Sequence, residues 1–108
     1  MDRSLQASLL FDFYGELLSP RQKEVMSLYH EENLSLAEIA NEYGITRAAV
    51  HDSLKKAENA LSGYEEKLGL VERFLKTTTA IEKIDKIIDE LGDPRLEEIK
   101  KIIDELEG

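Results

Sequence analysis

No cysteine occurs among the 108 residues. Disulfides, thiolate metal sites and cysteine nucleophiles are therefore excluded. Histidine is limited to His30 and His51, 21 positions apart, which argues against a histidine-rich metal site. No apolar run approaches the roughly 20 residues that a membrane span needs, so no membrane insertion is expected. The opening Met1-Asp2-Arg3-Ser4 lacks the basic region of a signal peptide. Basic residues are the minority, 14 Lys and Arg against 23 Asp and Glu, for a formal charge of −9. That balance opposes polyanion binding over the whole surface but leaves room for a basic patch on one element. The expectation is a soluble, cytoplasmic protein with no bound metal or cofactor.

Glycine and proline are also sparse, at six and two. Leu, Glu, Ala, Lys and Ile dominate instead, a helix-forming composition. Apolar residues at 42% and charged residues at 34% can support a core. The length suits one modest domain, or a small one with an appendage. The fold class predicted is all-α.

A first helix is predicted from about Ser4 to Leu17. Leu5, Leu9, Phe13 and Leu17 recur every four residues, with Leu10 and Tyr14 beside them. Ser19 then caps a second helix, with Pro20 at its first position and Gln22 completing a capping box. That helix reaches about His30, with Val25, Met26 and Tyr29 inward. Ser35-Leu36-Ala37-Glu38 forms another capping box, and Leu34 with Ile39 a hydrophobic staple. This third helix ends near Tyr43, because Gly44 takes a left-handed conformation cheaply. Thr46 caps a fourth helix, whose apolar stripe runs Val50, Leu54, Ala57, Leu61. Gly63 either ends that helix or sits inside one running to about Phe74, at a cost of about 1 kcal/mol.

Lys76-Thr77-Thr78-Thr79 reads as a break, dividing the chain into residues 1–75 and 76–108. Beyond it Ile84 to Leu91 and Ile99 to Leu106 agree at seven of eight positions, 15 residues apart, with Gly92-Asp93-Pro94 between them. Each copy places apolar residues at i, i+3, i+4 and i+7, one stripe per helix. A C-terminal helical hairpin is expected, and its apolar stripes predict a homodimer.

The stretch Leu36 to Lys56 carries the most information. Ala40 is small where two helices cross, Gly44 permits the sharp turn, and Ile39, Ile45, Val50 and Leu54 fill the wedge. Those are the demands of a helix-turn-helix unit. Its second helix would offer Thr46, Arg47, Ala48, His51, Asp52, Lys55 and Lys56 to the major groove of DNA. From Thr46 to Ala57 the cations Arg47, Lys55 and Lys56 stand against Asp52, a local +2 within a chain of −9.

Leu18-Ser19-Pro20-Arg21-Gln22-Lys23-Glu24-Val25, followed by Leu34-Ser35-Leu36-Ala37-Glu38-Ile39-Ala40, resembles the fourth region of bacterial sigma factors, which binds promoter DNA through a helix-turn-helix. Leu9-Leu10-Phe11-Asp12-Phe13-Tyr14, Met26-Ser27-Leu28-Tyr29, Arg47-Ala48-Ala49-Val50 and Tyr64-Glu65-Glu66-Lys67-Leu68 are similar to blocks of the YlxM-like family of small bacterial helix-turn-helix proteins. Genes of that family lie beside those of the signal recognition particle. The resemblance implies a DNA-binding regulatory component of that pathway, or an accessory that binds the particle's protein or RNA. One departure from the sigma pattern is Ser53, where the core residue after the recognition-helix valine usually falls; here it is Leu54, so sigma base contacts do not transfer.

Other constellations point to ordinary structure. Asp12 and Glu16, four apart, make a solvated helix face without a third ligand. His51, Asp52 and Ser53 are adjacent, so their side chains diverge and form no triad. No Gly-rich phosphate loop occurs, and no enzyme is predicted. Tyr14, Tyr29, Tyr43 and Tyr64 read as amphipathic core residues rather than a base-stacking set.

Overall fold

The computed structural model describes residues 3–107, with side chains from Leu5 onward. The reading of Met1 and Asp2 lies outside that range. Six α-helices follow one another: α1 (Arg3–Tyr14), α2 (Pro20–Met26), α3 (Leu36–Tyr43), α4 (Arg47–Leu68), α5 (Leu70–Leu91) and α6 (Glu97–Glu107). No strand occurs among the described residues, and the fold is all-α. The chain forms two compact units, Met1–Val71 and Glu72–Gly108.

In the first unit α4 is the axis, and α1, α2 and α3 pack against it. Val50, Leu54, Ala57 and Leu61 of α4 are buried, a row at i, i+4, i+7 and i+11 that stays on one helical face. Leu10, Tyr14, Leu18, Val25, Met26, Ile39 and Ala40 close the core around them. The helix starts follow local chemistry. The Ser19 hydroxyl accepts from the Gln22 amide at 3.2 Å, and the Gln22 side chain accepts from the Ser19 amide at the same distance. Ser35 and Glu38 repeat the exchange at 3.1 Å in both directions. Each box satisfies two amides that the first helical turn leaves without partners.

Three expectations are corrected, and the open question at Gly63 is decided. On α1 the buried row is Leu10 and Tyr14, continuing to Leu18, while Leu5, Phe13 and Leu17 are exposed. The helix is rotated toward Tyr14, whose hydroxyl finds part-buried partners at the end of α4 and the start of α5. Tyr29 is exposed rather than inward; after Met26 the chain widens into a π turn over Ser27–Glu31, which shifts the register of the following side chains. Of the two readings of Gly63, the structure has it inside α4, which ends at Gly69, a left-handed residue with φ 63°, before reaching Phe74. Lys76 to Thr79 do not break the chain, since α5 runs through them. Threonine costs only a few tenths of a kcal/mol in a helix, and α5 contains neither glycine nor proline to stop it.

The second unit contains most of α5, a 3₁₀ turn at Pro94–Leu96 and α6. Gly92, with φ 64°, ends α5, and Asp93 caps the turn by accepting from the Arg95 amide at 2.9 Å. The chain then reverses, and Lys100 pairs with Asp89. The two near-identical octapeptides behave alike. Ile88 is buried and Ile103 half-buried, whereas Ile84, Ile87 and Leu91, and their counterparts Ile99, Ile102 and Leu106, are exposed. The single position at which the copies differ is Asp85 against Lys100. Lys100 is half-buried, and Asp89, Asp85 and Glu97 together hold its ammonium charged above its ordinary range, Asp89 most strongly.

Candidate nucleic-acid interface

Three residues, Gly44, Ile45 and Thr46, join α3 to α4. Gly44 sits at φ 66°, ψ 34°, a conformation that costs an L-residue about 1–2 kcal/mol. Its amide donates to the Asn41 carbonyl at 3.3 Å, and the Ile45 amide reaches back to the Ala40 carbonyl at 3.0 Å. This paired closure is a Schellman motif, which occupies the last carbonyls of α3 and turns the chain within one residue. Thr46 is then extended, and its hydroxyl accepts from the Ala49 amide at 3.1 Å, starting α4. Ile39 and Val50 are fully buried and Ile45 half-buried, so the wedge between the two helices is apolar. Helix, three-residue glycine turn and helix make the unit whose second member enters the major groove in helix-turn-helix proteins.

The seven candidate contact residues stand together. Thr46, Arg47, Ala48, His51, Asp52, Lys55 and Lys56 are all exposed. On a helix turning about 100° per residue Ala48, Asp52, Lys55 and Lys56 lie on the side of α4 away from Val50, Leu54 and Ala57, with His51 at its flank, while Thr46 and Arg47 are exposed because they stand at the start of the helix. Burial of Leu54 and only partial burial of Ser53 match the shifted core position. The charges within this arc are not equivalent. Lys56 pairs with Asp52 at 3.0 Å, so one cation is already partly neutralised. Among the described residues Arg47 and Lys55 make no ion pair and present their charge outward.

Two polar networks hold this surface in place, and both were hidden from sequence reasoning. In the first, the Tyr14 hydroxyl donates to Glu65 Oε1 at 2.6 Å and accepts from the Leu70 amide at 3.0 Å, while Glu65 Oε1 also accepts from the Val71 amide at 2.9 Å. One tyrosine thus ties α1 to the end of α4 and satisfies the first amides of α5. Burial, then the Glu65 carboxylate, pushes the Tyr14 phenol above its usual range. Tyr64 adds a ring contact at 6.0 Å between centroids. In the second, Tyr43 at the end of α3 donates to Glu24 at 2.8 Å, and the Arg21 guanidinium stacks 4.3 Å above its ring. Burial and then Glu24 push the Tyr43 phenol up as well. The partners lie 51 and 19 residues apart. Only the Phe-Asp-Phe-Tyr and Tyr-Glu-Glu-Lys-Leu blocks hinted at Tyr14 and Glu65.

The remaining sequence candidates do not assemble. Asp12 is exposed, and Glu16 is paired with Lys23. No group of three metal-ligating side chains occurs among the described residues. His30 lies 3.7 Å from Glu58 of α4 and shares a surface pocket with Lys55. No helix among the described residues is long and apolar enough to cross a membrane.

Comparison with known proteins converges on this unit. Residues 1–105 match the family model UPF0122, described as "Putative helix-turn-helix protein, YlxM / p13 like". A UPF0122 protein of Desulforamulus reducens is 49% identical over 82 residues, 76% of this chain and 70% of that protein. One from Halalkalibacterium halodurans is 40% identical over 89 residues, 82% of each chain. A Bacillus cereus relative is 37% identical over 107 residues, 99% of this chain and 96% of its own.

Proposed function

The chain belongs to the YlxM/p13-like helix-turn-helix family, and from that premise we propose that it is a non-enzymatic, cytoplasmic DNA-binding regulator. Residues 1–75 carry the binding function, through a unit like the fourth region of sigma factors. The observation that supports this reading most is the position of Arg47 and Lys55, exposed and without ion-pair partners among the described residues, on the helix that follows the glycine turn. Arg47, Ala48 and His51 face base edges, and Thr46, Lys55 and Lys56 face phosphates. Asp52 restrains Lys56 and repels misplaced phosphates. The regulated system is the signal recognition particle pathway, as the family resemblance implies. A homodimer supplies two such helices to successive half-sites.

Titration of the full chain with duplex DNA over a range of salt tests the reading. The two cations that face phosphates, Lys55 and Lys56, give a slope of log K against log salt of about −2 for each copy. Arg47→Ala weakens binding to the preferred duplex by about 1–3 kcal/mol, and Lys55→Ala lowers the slope by about one. Absence of binding at low salt refutes the proposal.

A second reading is supported by the net charge of −9 and the Asp52–Lys56 pair, which weaken the attraction to any polyanion. In it the chain is an accessory that binds the protein component of the signal recognition particle, or its RNA. Capture from cytoplasm with and without nuclease separates the two. Particle protein retained after nuclease favours the accessory; loss of every partner favours nucleic acid.

A further inference from the structure

We propose that the outer face of the C-terminal hairpin is the surface on which two copies of this chain join, with α5 of each copy lying along α6 of the other. The proposal deepens the dimeric reading by naming the surface; it does not depend on DNA binding.

The second unit is 37 residues long, from Glu72 to Gly108. Ile88 is its one buried apolar side chain among the described residues. Folded pieces below about 40 residues need disulfides, a metal or association to hold together. The chain has no cysteine, and no metal-ligating cluster occurs among the described residues. Association remains.

The uncovered surface has the form that association requires. Each arm places two apolar rows side by side. The inner row contains Ile81 and Ile88 on α5, Leu96 just before α6, and Ile103 on α6, all buried or half-buried. The outer row contains Ile84, Ile87 and Leu91 on α5, and Ile99, Ile102 and Leu106 on α6. Ile87 is 55% exposed, Leu91 67%, Ile102 56% and Leu106 81%. Two adjacent rows per helix, rather than one, are the pattern of a helix with neighbours on two sides, as in a four-helix bundle. A face repeated on both arms is also self-complementary, which a two-fold interface demands.

Charge at the edges argues for a second copy as the occupant and sets which arm meets which. One residue before each octapeptide stands Lys83 on α5 and Glu98 on α6. Lys83 is exposed and makes no ion pair with any described residue. Glu98, which Lys101 pairs with at 3.7 Å, and Glu105, which makes no ion pair with any described residue, line the outer edge of α6, and Glu90 follows Lys83 toward the loop on that of α5. Because Lys100 stands opposite Asp89, Glu98 lies nearer the loop than Lys83 does, so the two do not meet within one hairpin. Laying α5 along the partner's α6 brings Lys83 to the edge that carries Glu105, a carboxylate with no ion pair among the described residues, as flanking charges do in helical bundles. Pairing like arms would instead oppose Glu98 and Glu105 to their own copies.

Sedimentation equilibrium of the full chain at micromolar concentration, without DNA, tests this. The wild type is expected to be a dimer. Ile87→Lys combined with Ile102→Lys is expected to raise the dissociation constant at least a hundredfold. Lys83→Glu is expected to raise it about tenfold, and adding Glu98→Lys and Glu105→Lys to Lys83→Glu is expected to restore it. The charge variants alter only exposed side chains, so they decide the matter if the double isoleucine variant loses its helical circular dichroism. A monomeric wild type overturns both this proposal and the dimeric reading. A dimer indifferent to Ile87→Lys and Ile102→Lys overturns the surface alone. Failure of the charge rescue overturns the pairing of α5 with α6. Loss of DNA binding in a variant that stays dimeric bears only on the proposed function.

Discussion

Replacing Gly44 isolates one contribution to the energetics of the helix-turn-helix. A Cβ built on Gly44 meets nothing within 4 Å, yet its φ is +66°. Steric crowding is therefore absent, and the whole cost is conformational. Holding alanine in the left-handed region costs about 1–2 kcal/mol. The substitution also restricts the unfolded chain, which returns about 0.4–1 kcal/mol. Gly44→Ala should thus destabilise the first unit by about 1 kcal/mol. Valine is branched at Cβ and avoids this region more strongly, so Gly44→Val should cost about 2 kcal/mol or more. Asparagine visits the region readily, and Gly44→Asn should be nearly neutral. At about 4–8 °C per kcal/mol for a unit of this size, the series spans a melting shift of roughly 10 °C. Thermal unfolding followed by circular dichroism at 222 nm gives the order Asn, Ala, Val. An asparagine variant as unstable as the valine one would mean that something crowds the position. A valine variant that melts like the wild type would mean that Gly44 does not set the turn.

Ala40→Leu should destabilise the same unit by overpacking, by about 1–3 kcal/mol, because Ala40 is buried on α3 and its carbonyl takes part in the turn; unchanged chemical denaturation would contradict the tight crossing. Tyr14→Phe should lower the melting temperature by several degrees, since it strips the Leu70 amide and Glu65 of their shared hydroxyl. It should also change the alkaline limb. A phenol whose folded pKa lies above the unfolded value of 10.0 contributes stability that is complete below pH 10 and is lost as pH rises through the folded value. Wild-type stability should therefore fall above pH 10, and Tyr14→Phe should flatten the fall without abolishing it, since Tyr43 is shifted the same way. Identical alkaline profiles would refute the account.

Where a helix starts was legible in the sequence, because caps are local. Ser19 with Gln22, Ser35 with Glu38, and Thr46 each act within three residues, so the residue types and their spacing contain the interaction. Gly44 was legible for the same reason, and with it the exposed arc of α4, which is fixed once Val50 and Leu54 are known to face inward. What was misread depends on partners distant in the chain. The rotation of α1 is decided by Tyr14 meeting Glu65, and apolar periodicity alone favoured the neighbouring row through Leu9 and Phe13. The end of α4, for which the sequence allows Gly63 or about Phe74, falls at Gly69 for a similar reason. The amides that open α5 are satisfied by Tyr14 and Glu65, so the turn is stable where those groups are. The threonine run looked like a break only because helix propensity was weighed without the apolar residues on either side of it.

Lysine at position 100, where the first octapeptide has an aspartate at the matching place, has a kinetic consequence. Two identical arms would set a third carboxylate against Asp85 and Asp89, and their repulsion would oppose closure within the chain. With Lys100 there, and only Gly92 to Leu96 between the arms, closure is favourable and immediate. A loop of about ten residues closes in about 10–100 ns. At micromolar concentration two molecules meeting at about 10⁵–10⁷ M⁻¹s⁻¹ wait on the order of a tenth of a second or longer. The hairpin is complete before a second chain arrives, so assembly joins finished hairpins and exchange of arms between molecules is outrun.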